Sequence, residues 1–525
     1  MDCANGPTFL AMVSVLWMTI MSLRFGIARA CPVNCTCTLV EILCDSLSEV
    51  PQDISNKSHV QKLVIKNHGI TVLRKGDLEG FLRLQTLEIA NGSLQTLEPG
   101  SLDDVNETIV EVNLSHNQIK DLPPGVFVNV NTMRGLNLKF NELRTIRTAT
   151  FVNLVRLTTL NLGWNNLQSL ENDSFAGLQD LNTLYLVFNS FKNVPLVALS
   201  DLRNLTDLFM TGNDVTQVSS QLNVKLPSLE VFELDSNRRL TIDEPFPAIS
   251  NNLLELNLGF SGIRTIENNN GSLWKNLRTL KRLILNGIHV DHLFSGMFNG
   301  LDGLDTLLLM SMHDLKSIGP DAFHGLDSVR VVDLSNSELL TIIDESAFMS
   351  AVNLTHLYLR NCSLTFIPAK LVPWDSMTSV NVTNNPLHCD CNAGWMLDEV
   401  VFGNNTDVMN EIQNMKCASP LTLRGMRIRD LNQGDLTCTA DQHSKFAVVV
   451  IVVVFCAALV VVIVLIYKRR NKIYMWCYQY FQYRRYKNDM VFTVNRDSSI
   501  AELEDTIETR PLANMSSMRL ETQPL

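Results

Sequence analysis

The sequence predicts a curved α/β-type solenoid with a parallel β-sheet along its concave face, a disulfide cap at each end, one transmembrane helix and a largely disordered tail. Three observations carry this expectation. MRGLNLKFNEL at Met133 returns as LTTLNLGWNNL at Leu157, 24 residues later. Four cysteines are clustered in residues 31–44 ahead of the repeats and four more in residues 389–438 behind them, and a 22-residue run without a charge follows at 446–467.

Each copy reads L-x-x-L-x-L-x-x-N-x-L, in which the inner apolar positions alternate as on a short strand and the Asn closes the following turn. The first apolar position falls at Val60, Leu84, Ile109, Met133, Leu157, Leu181, Leu205, Leu229, Leu253, Leu280, Leu304, Val329, Leu354 and Met377. All but one of the thirteen steps are 23 to 25 residues long; the exception, 27 residues from Leu253, places its extra length around IENNNGS as an outer loop. One copy cannot bury its own apolar face, whereas stacked neighbours can. The pattern resembles the leucine-rich repeat family across most of the chain, which implies an α/β-type leucine-rich repeat solenoid. Repeats 10 to 12 lose the Asn. Many second halves carry Phe and then Leu, as at Phe127, Phe151 with Leu154, Phe175 with Leu178, and Phe323 with Leu326, rings expected to fill the convex side of the core.

At the amino terminus, residues 9–23 are apolar and Ala28-Arg29-Ala30 follows, so residues 1–30 read as a secretory signal. The segment before the apolar run has Asp2 and no Lys or Arg, which leaves an uncleaved anchor as the alternative. Export permits disulfides. Cys31, Cys35, Cys37 and Cys44 form C-P-x2-C-x-C-x6-C in residues 31–59, directly before the repeats of residues 60–388. Cys389, Cys391, Cys417 and Cys438 lie in residues 389–440, the first two in NPLHCDCNAGW. Spacing alone allows three pairings for each set. Both sets look like the caps of extracellular leucine-rich repeat proteins. That resemblance implies Cys31 with Cys37, Cys35 with Cys44, Cys389 with Cys417, and Cys391 with Cys438. Cys362 is left over; it stands at the Asn position of repeat 13, where the family accepts a buried Cys, the other reading being a reactive thiol.

Residues 441–445 lead into FAVVVIVVVFCAALVVVIVLIY at 446–467, long enough for one membrane-spanning helix. Lys468, Arg469, Arg470 and Lys472 follow at once, against Lys445 on the other flank, so the carboxy terminus is expected in the cytoplasm. No charge within the span offers a site for pairing with a charged helix. The tail, 468–525, carries seven basic and no acidic residues up to Lys487, then three basic and seven acidic. Its first part suits the anionic inner leaflet, with rings at Tyr474, Trp476, Tyr478, Tyr480, Phe481, Tyr483 and Tyr486. Cys477 is a candidate for palmitoylation or a reduced cytosolic thiol. Tyr478 to Phe481 fits the loose Y-x-x-Φ endocytic pattern, and the distal part is expected to be disordered. A tail of this length holds no kinase or Toll-type domain, so a signal would pass through a cytoplasmic adaptor.

Catalytic motifs are absent from the sequence: no H-E-x-x-H, phosphate loop, G-x-G-x-x-G or C-x-x-C metal pair. The expectation is therefore no enzyme, no cofactor and no metal. Residues 31–445 carry 31 basic and 46 acidic side chains, which speaks against nucleic acid.

If the inner repeat positions are buried, the third, fifth, seventh and eighth project outward. Phe140, Trp164 and Phe188 then stand at the eighth position of three successive repeats, close enough at strand spacing of about 4.8 Å to form a ladder. Tyr185, Phe209 and Phe260 are expected on or beside the same face, together with Asp207, Glu233, Asp235 and Glu255, which favour a basic partner. The competing readings are rings that fold over the turn to pack the rim, and acids that are merely solvated. Glycosylation sequons stand at Asn34, Asn56, Asn91, Asn106, Asn113, Asn172, Asn204, Asn270, Asn353, Asn361, Asn381 and Asn404. By register Asn91, Asn113, Asn361 and Asn381 lie on or beside the concave face, leaving repeats 4 to 12 open.

The order of parts is similar to the neuronal leucine-rich repeat transmembrane proteins, with more repeats and without the usual carboxy-terminal PDZ ligand at Thr522 to Leu525. The resemblance implies a plasma-membrane receptor or adhesion protein with an extracellular or cell-surface protein ligand. The alternatives are an innate immune recognition receptor signalling through partners, and a structural surface or matrix-associated protein.

Overall fold

The structure, a computed structural model, describes residues 31–218, 224–242, 245–268, 273–438, 454–465, 467–470, 474–482 and 484–485. The signal segment, most of the tail, Asn270 with its loop, Tyr483 and Tyr486 lie outside the described residues. The chain divides into two compact units, Met1–Cys438 and Thr439–Leu525.

In the first unit the described residues form a 16-stranded sheet. Two of its strands, Cys35–Cys37 and Glu41–Asp45, belong to the amino-terminal cap and pair antiparallel. The remaining fourteen are one per repeat, running from Lys62–Lys66 to Ser379–Asn381, all parallel. Register holds even across the 27-residue step, where Glu255 pairs with Arg282 and Leu256 with Leu283. The extra residues therefore leave the sheet undisturbed.

Alternation explains the sheet. In Thr159–Asn161 the central Leu160 is fully buried and its neighbours are half-buried, and the same pattern recurs in most repeats. The convex side is filled as the sequence predicts: Phe127, Phe151 and Phe175 stack at 5.8 and 6.2 Å, and Phe298, Phe323 and Phe348 at 6.0 and 4.4 Å. One hydrophobic cluster runs from Ile42 to Leu436.

A second ladder is polar. Asn117, Asn141, Asn165, Asn189, Asn213 and Asn237 occupy the ninth position of consecutive repeats and are nearly buried. The Asn165 carbonyl oxygen accepts the Leu143 N–H at 3.0 Å, and its amide donates to the Leu138 and Leu162 carbonyls at 3.0 Å. Each asparagine thus satisfies backbone groups of its own and the preceding repeat, which a strand of three residues cannot do alone. At the same position Cys362 is buried and free, its thiol donating to Leu334 O at 3.5 Å, and burial pushes its pKa up to about 11.

Both caps contain the bridges that the resemblance implies, Cys31–Cys37, Cys35–Cys44, Cys389–Cys417 and Cys391–Cys438. They cover the open ends of the core: Cys44, Cys389 and Cys417 are buried in the same cluster.

In the second unit, residues 454–465, 467–470, 474–482 and 484–485 are helical. The sequence predicts a membrane-spanning helix over 446–467. No helix among the described residues is long and apolar enough to cross a membrane. The described apolar stretch, residues 454–465, has 12 residues against the roughly 20 that a bilayer needs, because residues 446–453 and 466 lie outside the described set.

A ring ladder on the rim of the solenoid

The eighth position lies three residues past the strand, in the turn that brings residue nine into the core. Its backbone is left-handed in all fourteen repeats, with φ between 50° at Asn67 and 70° at Gly212. Seven of the fourteen place there Asn or Gly, which tolerate this region, at Asn67, Asn91, Gly212, Gly287, Asn336, Asn361 and Asn384, and two more place the small Ser236 and Ser311. Five do not. His116, Phe140, Trp164, Phe188 and Phe260 hold φ of 56°, 55°, 54°, 50° and 51°. A bulky side chain in this region costs roughly 1–2 kcal/mol, so each ring sits where Asn or Gly would be cheaper.

Four of the five form a continuous ladder. His116 stacks on Phe140 at 4.2 Å, Phe140 on Trp164 at 4.8 Å, and Trp164 on Phe188 at 4.0 Å. The ladder ends on glycine: a Cβ at Gly212 would lie 2.6 Å from the Phe188 ring. Lys139 Nζ stands 4.9 Å from the Phe140 centroid. Trp164 and Phe188 remain 40% exposed. His116 was reachable by the same register, seven residues after Ile109, but a search for apolar rings passes over an imidazole.

The six rings expected on one face separate into three groups. Phe140, Trp164 and Phe188 are on the rim rather than on the sheet, because the left-handed turn swings the eighth residue off the strand direction. Tyr185 and Phe209 do lie on the concave strands, stacked at 4.7 Å with planes 9° apart. Phe260 stands alone, since Gly212 and Ser236 occupy the two rim positions between it and Phe188; its ring instead covers Gly287.

The acidic side chains adjoin the concave pair. Glu233 is in register with Phe209, and Glu255 with Val231. Burial raises the Glu233 carboxyl pKa, Asp235 and Glu255 add to the rise, and the Thr211 hydroxyl opposes it. Asp235 accepts the Thr211 hydroxyl at 2.7 Å, Asp207 the Thr206 hydroxyl at 2.7 Å, and Glu255 pairs with Arg282 at 3.5 Å. No group of His, Cys, Asp or Glu suited to a metal ion occurs among the described residues.

Sequons frame the ladder. Asn91 precedes His116 in the rim row, and Asn113 is on the strand of repeat 3, its carbonyl holding the Ser115 N–H at 3.1 Å. Asn361 is the middle rung of an amide ladder, donating to Asn336 at 2.8 Å and accepting from Asn384 at 2.8 Å. Asn381 is on the last repeat strand. Asn204 and Asn353 stand just before the first apolar position, at the other end of the strands, and bond to Gln179 O and Asp327 O of the preceding turn. Asn34 and Asn56 are in the amino-terminal cap region, Asn106 and Asn172 in convex segments, and Asn404 in the carboxy-terminal cap. Cys477 is exposed on the helical segment 474–482, where Trp476 stacks on Tyr480 at 5.8 Å.

Comparison with known proteins agrees with this architecture. The family model described as leucine rich repeat matches residues 107–167, 156–215 and 302–364. The chain is 27% identical over 234 residues to the mouse CD180 antigen, covering 43% of this chain and 33% of that protein. It is 34% identical over 146 residues to mouse trophoblast glycoprotein, 27% of this chain and 32% of that one. The matched stretches thus span about a third of these curated relatives, 33% and 32%. Among solved structures, Toll in the Drosophila Toll–Spatzle complex superposes with a TM-score of 0.55 at 19% identity, over 73% of this chain and 58% of that one. The chain therefore carries leucine-rich repeats over residues 107–215 and 302–364, and is similar in sequence to parts of CD180 antigen and trophoblast glycoprotein.

Proposed function

We propose that this is a cell-surface receptor or adhesion protein that binds a protein ligand along the rim ladder and the adjoining concave face of repeats 3 to 9. The observation that carries the reading is the ladder itself. Four consecutive rings occupy backbone positions where smaller residues are intrinsically favoured; His116, Trp164 and Phe188 are exposed and Phe140 is half-buried. Stacking between rings is worth about 0.5–1.5 kcal/mol per pair, which roughly offsets the backbone cost and leaves no net stability to account for them. Exposed, pre-ordered rings are suited to burial by a partner, since they add contact area with little further loss of entropy.

The concave Tyr185–Phe209 pair and the carboxylates of Asp207, Glu233, Asp235 and Glu255 extend the surface and suit a basic patch on the ligand. The apolar run at 446–467 anchors the chain as a single span with the repeats outside and the basic segment from Lys468 inside. The ligand's binding is transmitted, where it is transmitted, by an adaptor at the tail, because no catalytic motif occurs in the sequence. Binding does not involve nucleic acid, metal or cofactor in this reading.

The test is binding to ligands found by an unbiased screen of surface and secreted proteins. Trp164→Ala is expected to weaken binding more than tenfold, since truncating a central ring costs about 2 kcal/mol or more, with surface expression intact. A paired Thr159→Asn and Asn161→Thr change, which creates a sequon on the strand of repeat 5, is expected to block binding by bulk. Parental binding by both variants at normal surface level would rule the reading out.

A further inference from the structure

His68 stands at the ninth position of repeat 1, where Asn117 through Asn237 form the amide ladder in repeats 3 to 8. It is 3% exposed, and neither ring nitrogen makes a well-aligned hydrogen bond, the nearest acceptors being the Ile70 and Ile89 carbonyls. An imidazole cannot both accept an N–H and donate to two carbonyls as asparagine does here. Its ring instead lies against Gly92, the ninth residue of repeat 2, where any Cβ would collide with it.

That contact leads to the ladder. The Gly92 N–H donates to the His116 carbonyl at 2.9 Å, and the Ser93 N–H donates to the His68 carbonyl at 3.2 Å. His116 is the first rung, stacked on Phe140 at 4.2 Å. A short path of direct contacts therefore joins a buried imidazole to the end of the exposed ring row.

No charged group compensates a positive charge on this ring. On the cap strand Asp45 is bonded to Asn67 at 3.0 Å. On the strands of repeats 1 and 2, Lys66 and Glu88 are paired with each other at 3.0 Å. Across Gly92 stands His116, whose backbone carbonyl accepts the Gly92 N–H and whose ring is stacked on Phe140. Burial holds the His68 pKa below its ordinary 6.5, a fall that the Ile70 and Ile89 carbonyls offset only in part, and no charged group acts on it.

We propose that His68 is an acid-sensitive latch that, while neutral, locks repeat 1 against repeat 2 beneath the first rung of the ladder. The sign follows from linkage. The closed state disfavours the proton that the open state accepts near 6.5, so closure is fully stable above that pH and weakens as pH falls through it. Protonation moves the ring off Gly92, loosens the Gly92–His116 bond and disorders the amino-terminal end of the ladder.

Hydrogen exchange on the full-length chain without ligand, at pH 7.5 and 5.5 and corrected for intrinsic rates, tests this apart from any binding reading. A single histidine that stays neutral when closed shifts local opening by up to about tenfold across this interval. That rise is expected in residues 60–97 and at His116, and not in repeats 12 and 13. His68→Asn and His68→Phe, one polar and one a flat neutral ring, are each expected to abolish the pH effect, so a folding defect in one leaves the other as the test. The latch is refuted by an equal change throughout the repeats, by no change in the parent, or by a pH effect that persists in either folded variant.

Discussion

Trp164 and Phe188 stack with centroids 4.0 Å apart while both hold left-handed backbone, at φ 54° and 50°. The pairing sets two opposed effects of similar size on one residue. Local backbone preference disfavours the ring and stacking restores about as much.

Replacing Trp164 by Asn removes both effects at once. Trp164→Asn is therefore expected to change global stability by less than about 1 kcal/mol, while Leu162→Ala, two residues earlier and fully buried, costs about 2–5 kcal/mol. Denaturant unfolding of the two variants checks this. A large loss in Trp164→Asn would make the ladder a structural element rather than a surface held ready for a ligand.

The amide ladder makes the opposite prediction. Asn165→Ala orphans the Leu143 N–H and removes the donations from the Asn165 amide to the Leu138, Leu162 and Gly163 carbonyls. At about 1–3 kcal/mol for each buried group left unsatisfied, the loss is expected to exceed that of Trp164→Asn severalfold in the same assay.

Cys362 occupies that ladder with a weaker donor and, with its pKa pushed up to about 11, stays a thiol at neutral pH. Alkylation by N-ethylmaleimide at pH 7.4 is expected to leave it unmodified in the folded chain and to label it on unfolding, as read by peptide mass. Ready labelling of the folded chain would restore the reactive-thiol reading.

Glu233 gives a pH signature. Its carboxyl is held above the ordinary 4.5 by burial and by Asp235 and Glu255, so the folded chain binds this proton more tightly than the unfolded one. Its contribution to stability therefore falls as pH rises through the folded pKa. Glu233→Gln is expected to raise Tm at pH 7, with the gain shrinking to nothing below about pH 4.5. A loss of stability at pH 7 would show that the carboxylate holds the sheet together instead.

Both caps are expected to be needed for export. Cys389→Ser breaks a bridge whose Cys389 end is buried and exposes the last repeat, costing about 2–5 kcal/mol. Surface staining of intact cells should fall sharply; normal staining would separate the bridge from closure of the solenoid.

The sequence by itself determined the repeat number, the register and the residues at each end. A 24-residue period with alternating apolar positions admits only one way of burying its leucines, and the same arithmetic put Phe140, Trp164 and Phe188 in one row. It also located both cysteine sets, though pairing had to come from resemblance. What only the tertiary structure decided is direction. The left-handed turn at the eighth position swings those rings onto the rim and away from Tyr185 and Phe209. Because the N–H of the eighth residue is held by a carbonyl of the next repeat, as Trp164 N–H is by Val187 O at 2.8 Å and Gly287 N–H by Met310 O at 2.8 Å, no single repeat encodes it. For the same reason His68 and His116 drew no notice in the sequence: an imidazole becomes a buried orphan or a fourth rung only when the neighbouring repeat is stacked against it.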